Sequence, residues 1–424
     1  MTTMVYIISQ TVRRLGTDGS WALRIARASR RSFAVLTLTL ATALALSACS
    51  SGGPAPSPTP KGGGNVYRWG VVGNQGAITQ LERGTPTAVT GIAGKVVQIA
   101  TSNSDGYALT STGEVFAWGV NSYAELGDGQ ETPYETRAVR VAFPAGIKIA
   151  WLPNPMPFDA GLAIDSTGHV WGWGLNADDD LCLSGLIQAR PQRLPLSGVT
   201  LATGARTHAM FYTHGTVYAC GSGDAGELGN GSTASSTRSA RVVGLPSGVP
   251  VIALTSSWEG SGALLANGEY YDWGYNAAGQ LGDGTTHSSA VPAKVVLPGP
   301  VIQVFQGGSG PTNGQTVAIL SGGSVWAWGN NQRGQLGNGT RTNSDVPVRV
   351  HVPMGVRFTK VNSGGYVSFA IDSTGRLWAW GGNENGQLGT DSGQRIQALP
   401  VSVGIRLTQV SSTASNVAGL GAHS

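Results

Sequence analysis

Residues whose types could support acid–base or metal chemistry are sparse in this chain of 424 residues. Of its six histidines, His208 is the one that falls in a plausible functional loop, close to Arg206. No Asp or Glu stands near His208 in the sequence, and the histidines do not have the spacing of zinc ligands. The sequence therefore predicts a protein that is not an enzyme and that needs neither a metal nor another cofactor.

An acidic run and several glycine-rich segments could imitate ion-binding motifs. Asp178, Asp179 and Asp180 could offer carboxylate oxygens to calcium. The run lacks the alternating ligands and the glycine of known calcium loops, so a solvated acidic turn is favoured. The repeated Gly-Asp-Gly and Gly-Asn-Gly segments are interpreted as turns rather than phosphate-binding loops, because no helix follows them.

A covalent modification is predicted at Cys49. Six arginines precede an apolar stretch at 33–48, which is short for a membrane span but suits an export signal. The stretch ends in Leu46-Ser47-Ala48-Cys49, which resembles a bacterial lipobox, where the chain is cut before a cysteine that then receives a lipid. Residues 29–33 partly resemble a twin-arginine motif, so twin-arginine and Sec export both stay open.

These features divide the chain into three segments. The sequence predicts a lipoprotein signal peptide at 1–48, a lipidated cysteine with a Gly/Pro/Ser-rich linker at 49–63, and a folded domain at 64–424. The expected location is the bacterial cell envelope, on the outer side of the cytoplasmic membrane, or the medium after secretion. Contact with the membrane is expected through the lipid anchor alone.

The charge balance changes once the predicted signal is removed. The whole chain has 27 basic and 23 acidic residues, a net charge of +4. The first 48 residues hold six arginines and one aspartate, so the remainder has a net charge of −1. The sequence therefore predicts no cationic surface and no nucleic-acid partner.

In the rest of the chain, an aromatic strand that ends in Trp-Gly recurs seven times, with Cys220 in place of Trp in the fourth copy. The six tryptophans are Trp69, Trp118, Trp173, Trp273, Trp328 and Trp380. A glycine stands five residues before each copy, and a leucine stands eight residues after it in every copy but the first, which has Ala77. Intervals of 47 to 55 residues are typical of propeller blades.

The strands that precede these marks are apolar on both faces, as in a sheet packed between two other sheets. We therefore expect an all-β protein, a seven-bladed β-propeller of four-stranded antiparallel blades. The first copy of the repeat, at residue 64, lacks the first half of the pattern. The last copy, which ends near residue 420, lacks the second half. The strand at 65–70 is expected to complete the C-terminal blade and close the ring.

Repeats such as 325–337, which reads VWAWGNNQRGQLG, resemble the regulator-of-chromosome-condensation repeat, and the resemblance extends from about Gly64 to Leu420. It implies a seven-bladed propeller. The founding member of the family is a nucleotide exchange factor for a GTPase and binds chromatin. The resemblance also implies a capacity to bind proteins, since some exported bacterial proteins similar to this family grip another protein with one end of the propeller.

Family members often carry a histidine within a Gly-x-x-His segment, four positions before the end of an Ala-Leu strand signature. The corresponding positions are assigned here to Asp105, Ala160, Thr207, Gly260, Gln315 and Val367. None is a histidine, so a nucleotide exchange role is less favoured.

Two cysteines remain within the repeats. Cys182 stands at a glycine position of the loop motif, and Cys220 stands at the Trp position of the next copy. An exported domain could join them in a disulfide. Two separate buried thiols are the favoured interpretation.

Loops between the first and second strands of the repeats should emerge at one end of the ring and form the binding face. The longest, at 151–159, holds three prolines that limit its freedom. The candidate partner-binding residues are Trp151, Phe158, Trp258, Tyr107, Arg206, His208, Phe305 and Tyr366. The sequence predicts a non-enzymatic cell-surface binding or scaffold protein that recognises another protein, or alternatively a carbohydrate or cell-wall glycan. Some of these rings could instead plug the mouth of the channel.

Overall fold

The computed structural model describes residues 66–70, 84–310, 312–390, 393–413 and 416–421. These residues form 27 β-strands and no helix, which confirms the all-β prediction. Within the same residues there is accordingly no helix that could cross a bilayer. All the strands belong to one compact unit, 59–424. The predicted signal peptide, Cys49, the linker and Ala77 lie outside the described residues.

Five of the sheets contain four antiparallel strands each. The first sheet has β3 (Val96–Thr101), β4 (Asp105–Thr110), β5 (Val115–Asn121) and β6 (Thr132–Arg140). The second has β7 (Ile149–Trp151), β8 (Ala160–Asp165), β9 (Val170–Leu175) and β10 (Ile187–Arg193). The third has β11 (Val199–Gly204), β12 (His208–Thr213), β13 (Thr216–Gly221) and β14 (Ser236–Arg241).

The fourth and fifth sheets repeat this pattern. The fourth has β15 (Val251–Ser256), β16 (Gly260–Leu265), β17 (Tyr270–Gly274) and β18 (Ser289–Lys294). The fifth has β19 (Val301–Gly307), β20 (Gln315–Leu320), β21 (Val325–Gly329) and β22 (Ser344–Arg349). In every case the strands neighbour one another in chain order, so each repeat forms its own meander.

The sixth sheet has seven strands. They are β2 (Thr87–Ala88), β1 (Val66–Gly70), β27 (Asn416–Gly421), β26 (Ile396–Ser412), β25 (Arg376–Gly382), β24 (Val367–Asp372) and β23 (Phe358–Ser363). Because β26 runs for 17 residues, its first part pairs with β25 and its second part pairs with β27. The hydrogen-bonded sheets therefore number six, whereas seven separate ones were expected.

The first and last strands of the described chain pair with each other. Val66 lies opposite Leu420 and Gly70 lies opposite Asn416, in an antiparallel register. This is the pairing of the two ends of the repeat region that the sequence predicts. In the strand pattern shared by all repeats, β1 has the place of a third strand and β27 has the place of a second strand.

Several of the repeated tryptophans pack against a loop of the preceding repeat. Trp173 is fully buried, and its indole nitrogen donates a hydrogen bond of 2.9 Å to the carbonyl oxygen of Glu125. A Cβ atom added to Gly127, two residues further along the same loop, would lie 2.6 Å from the Trp173 ring. The glycine is therefore required by the tryptophan, which explains why both recur at fixed offsets.

The third sheet departs from this arrangement. Cys220 occupies the tryptophan position, Cys182 occupies the glycine position, and the two form a disulfide with a Cα–Cα distance of 5.6 Å. The interpretation of two separate buried thiols is therefore wrong. The two positions are far apart in sequence, but packing of successive repeats brings them into direct contact.

The two ends of the sheets are distinct, and we name them by their connections. The loop end carries the segments between first and second strands, among them 102–104, 152–159, 205–207, 257–259 and 364–366. The turn end carries the tight turns between second and third strands, such as 111–114, 166–169 and 373–375. Each third strand runs from the turn end to the loop end.

Candidate functional site

Three residues from successive sheets form one cluster at the loop end. Phe158, Arg206 and Trp258 each stand two residues before the second strand of their sheet. The two rings are edge to face with centroids 5.2 Å apart. The Arg206 guanidinium carbon lies 5.0 Å from the Phe158 centroid and 4.5 Å from that of Trp258. We call these three half-buried residues the aromatic–arginine cluster.

Hydrogen bonds between loops hold the cluster in place. The amide nitrogen of Phe158 donates to the carbonyl oxygen of Ala205 at 3.2 Å, and its carbonyl oxygen accepts from the amide of Asn103 at 2.8 Å. The Thr207 hydroxyl donates to the carbonyl oxygen of Trp258 at 2.8 Å. The loops of three sheets are thus fixed to one another, and the cluster is ordered without a ligand.

Carboxyl groups lie beneath these loops. Burial raises the pKa of Asp159, and both Arg206 and a 3.3 Å hydrogen bond from Asn103 oppose the increase. Burial, followed by the charge of Glu125, raises the pKa of Asp105 well above its usual value. Among the residues that the structure describes, no three His, Cys, Asp or Glu side chains are arranged to hold a metal.

A small cavity lies beside the cluster, where the loop ends of several sheets converge. It offers about 30 Å³ of space that water can reach, and its lining includes Phe158, Arg206, Trp258, Gly308 and Gly364. This is room for about two or three water molecules and not for a sugar ring. A larger ligand at this cavity would have to bind on the loops around it.

Two of the predicted partner-binding residues belong to the core, and these predictions are corrected. Tyr107 lies in β4 and is fully buried, with its hydroxyl donating to the carbonyl oxygen of Glu125 at 2.8 Å. Phe305 lies in β19 and packs into a buried cluster with Trp378 and Trp380. Both were assigned to loops, but strand pairing continues through them and turns their rings inward.

His208 is also buried, and its predicted role at the binding face is wrong. It is the first residue of β12, and its Nε2 atom lies 2.7 Å from the Ser261 hydroxyl oxygen. Burial lowers the pKa of His208 to about 3, so the imidazole is neutral at physiological pH. The buried pair joins two adjacent sheets.

The register also corrects the assignment of the family histidine. His208 lies opposite Gly221, as Asp105 lies opposite Gly119 and Val367 opposite Gly381. The equivalent residue of this repeat is therefore His208 and not Thr207, so one described copy does keep a histidine. Phe211-Tyr212 stands where other copies have an Ala-Leu type of pair, which obscured the register.

The remaining two candidates, Trp151 and Tyr366, occupy different positions in their repeats from those of the aromatic–arginine cluster. Trp151 ends β7, opposite Ile164, and packs half-buried against the core of the first three sheets. Tyr366 lies in the loop before β24, and the Arg333 guanidinium carbon is 5.8 Å from its ring centroid. Arg333 also pairs with Glu384. Sequence reasoning missed Arg333, although its place in the glycine-rich loop at the loop end could have indicated it.

Comparisons with known proteins agree with this architecture. Residues 267–310, 322–371 and 374–419 match the model of the regulator of chromosome condensation (RCC1) repeat. The chain is 28% identical over 320 residues to the ultraviolet-B receptor UVR8 of Arabidopsis thaliana, covering 73% of this chain and 70% of the receptor.

Solved structures show the same fold. Human WBSCR16 superposes with a TM-score of 0.73 at 21% identity, covering 84% of this chain and 98% of that one. Prp20p of Saccharomyces cerevisiae superposes with a TM-score of 0.70 at 18% identity, covering 86% and 93%. The repeats, the relatives and the arrangement of the strands agree: this chain contains RCC1 repeats and is similar to β-propellers built from them.

Proposed function

We propose that the protein is a non-enzymatic scaffold that recognises another protein through its loop end. The observation that carries the proposal is the aromatic–arginine cluster, in which three successive sheets place Phe158, Arg206 and Trp258 in one pre-ordered group. Aromatic and arginine side chains on rigid supports are the residues that dominate protein interfaces. The related Prp20p binds Gsp1p and histones, which supports a protein as the partner.

A carbohydrate is the less favoured ligand. Sugar rings stack on open aromatic faces, but here the Arg206 guanidinium lies over both the Phe158 and the Trp258 rings. The adjacent cavity is also too small for a sugar. These contacts favour a partner that meets a mixed aromatic and cationic surface.

The scaffold we propose is a closed ring of seven four-stranded blades. The second part of β26 together with β27, β1 and β2 would make the seventh blade. Contacts with the first sheet support closure, since the side-chain amide of Gln409 accepts from the amide of Ile99 at 3.1 Å. The Asn416 side chain also donates to the carbonyl oxygen of Asp105 at 2.9 Å.

We also propose a location in the cell envelope, with a lipid on Cys49 as the anchor. The support is the sequence of the leader, in which six arginines and an apolar stretch precede the cysteine. Mass spectrometry of the mature N-terminus would test this proposal, and an unmodified or absent Cys49 would reject it.

Capture from envelope extracts tests the proposed recognition. We expect Trp258→Ala and Arg206→Ala to lose a protein that the unchanged chain retains. Met354→Ala is the matched control, because Met354 is fully exposed in a connector at the turn end. If the loop-end variants capture the same protein as strongly as the control does, the proposal fails.

A further inference from the structure

Exposed cations are concentrated at the turn end. Five of them close the fourth strands of the first five sheets: Arg140, Arg193, Arg241, Lys294 and Arg349. Three more stand at or just before the start of first strands, namely Lys95, Lys148 and Arg357. Arg376 and Arg406 pair across β25 and β26. All ten side chains are exposed.

Strand register places these residues at one end. Arg140 lies opposite Phe116, Arg193 opposite Trp171 and Arg349 opposite Trp326. Each partner stands near the start of a third strand, directly after a tight turn. The same position therefore recurs in successive sheets, and the cations share the turn end of these sheets.

The carboxylates at this end do not cancel the cations. Glu114 and Glu269 are half-buried and paired with Arg140 and Lys294. Burial raises the pKa of Asp165, but hydrogen bonds from Thr167 and Trp171 outweigh it and lower the pKa to about 2.

Asp372 is held in the same way. Burial is again outweighed by hydrogen bonds, from Thr374 and Trp378, and the pKa falls to about 2. Among the described residues, four carboxylates therefore stand against ten cations at the turn end, and the two aspartates face into their own turns.

Carboxylates predominate at the opposite end. Asp128, Asp178, Asp224 and Asp283, for example, lie in loops at the loop end. The net charge near zero that follows from the sequence is a sum over two ends of opposite sign. The prediction that the domain has no cationic surface is therefore wrong.

The N-terminal segment joins the domain at the cationic end. Val66 begins β1 at the turn end, where it lies opposite Leu420. Cys49 precedes Val66 by 17 residues, which can span at most about 60 Å. A domain anchored through Cys49 would thus be attached to the bilayer by the end that carries the cations.

We infer that the turn end binds the anionic headgroups of a phospholipid bilayer. The choice of a bilayer over other polyanions rests on the proposed anchor, because the leader brings the domain to a membrane and the chain enters at this end. Each cation near such a surface strengthens binding roughly fivefold, and salt weakens the attraction. This contact leaves the loop end turned away from the membrane and free to meet its partner.

Vesicle flotation tests the inference without the lipid anchor. The domain from Lys61 onward is used, because all the described strands find their partners between 66 and 421. The probes are vesicles of phosphatidylglycerol with phosphatidylcholine and vesicles of phosphatidylcholine alone, at low and at physiological salt. Binding to the anionic vesicles at low salt, which weakens as salt rises, is the expected result.

Matched variants assign the binding to one end. Arg193→Gln, Arg241→Gln and Arg349→Gln together should weaken it about a hundredfold. Arg238→Gln, Arg341→Gln and Arg395→Gln remove the same charge nearer the loop end and should change it less than fivefold. Circular dichroism checks that both triple variants are folded.

Three results would overturn the inference. They are equal loss in the two triple variants, no preference for anionic vesicles, and binding of a short DNA duplex by a domain that does not float with vesicles. The last result would assign the turn end to nucleic acid. None of these outcomes depends on capture of a protein by the loop end, so this inference and the proposed function can fail separately.

Discussion

Cys182 and Cys220 form a disulfide at the place where other pairs of adjacent sheets bring a glycine against a tryptophan. At Trp69, Trp173, Trp273 and Trp380 the indole donates to a loop carbonyl of the preceding repeat, as Trp273 does to Glu227 at 2.9 Å. Here a covalent bond replaces that contact. The repeat therefore joins its sheets by two chemically different means at equivalent positions.

Restoring the usual pair should replace the disulfide. We expect reduction of the native protein to cost about 2–4 kcal/mol of unfolding free energy. Cys220→Trp alone should destabilise the fold, because the Cys182 side chain would meet the new ring. Cys182→Gly with Cys220→Trp should recover most of the loss under reducing conditions. Denaturant unfolding measures these four states and the Cys182→Gly single variant, and a double variant no more stable than Cys182→Gly alone would contradict the equivalence.

Close packing of glycine on tryptophan should be strict at Gly229. A Cβ atom there would lie 2.5 Å from Trp273 Nε1, whereas one on Gly248 would meet nothing within 4 Å. Both glycines have positive φ, at 64° and 77°, so the strain on the backbone is similar. We expect Gly229→Ala to lower the unfolding free energy by roughly 2 kcal/mol or more beyond the effect of Gly248→Ala. The melting temperature of Gly229→Ala should be correspondingly lower. Equal effects would show that the indole yields easily.

Two buried glutamates should make the fold less stable as pH rises. Burial raises the pKa of Glu125 and of Glu227 to about 7. The folded state then binds more protons than the unfolded state between about pH 4.5 and 7, so stability is greatest below this window and falls through it. Urea unfolding at about pH 5 and about pH 8 should show this decrease.

Glutamine variants provide the control for that pH dependence. Gln335 occupies the equivalent position and accepts from the Arg333 amide at 2.9 Å, as Glu227 accepts from Ala225 at 2.9 Å. Glu227→Gln should therefore keep the hydrogen bond. The difference in unfolding free energy between this variant and the native protein should shift in favour of the variant by about 2–3 kcal/mol from pH 5 to pH 8. Gln335→Glu should have the opposite effect. A pH profile unchanged in both variants would contradict the burial argument.

Removing the aromatic–arginine cluster should affect recognition far more than folding. Trp258 is half-buried at a loop, so Trp258→Ala is expected to cost about 1–2 kcal/mol of stability. At an interface, loss of such an anchor typically costs 2 kcal/mol or more of binding. Thermal unfolding and partner titration of the same sample separate the two. If the loss of stability fully accounts for the loss of binding, the cluster does not belong to the binding face.

The repeated motif was sufficient to predict the strands but not their contacts between sheets. The offsets of Trp and Gly indicate a strand and a turn within one repeat, and both were found. That Cys182 meets Cys220 depends on how one repeat packs on the next, which no single repeat shows. Likewise, the total charge cannot indicate that Arg193 and Arg349 lie at one end of the sheets and Asp128 at the other.

The candidate site was predicted in part. Phe158, Arg206 and Trp258 were all named as candidates, but their equivalence was hidden by the long loop at 152–159. Tyr107 and Phe305 were misassigned because strand ends cannot be located from hydrophobicity within two or three residues. His208 was misplaced by one residue for the same reason: it was assigned to the loop, whereas it is the first residue of β12.

Hydrogen–deuterium exchange with a bound protein partner would locate the surface that the partner covers. We expect slower exchange in 152–159, 205–207 and 257–259 and no change in the tight turns at 166–169 and 373–375. Slower exchange at those turns, with the three loops unchanged, would contradict recognition through the loop end.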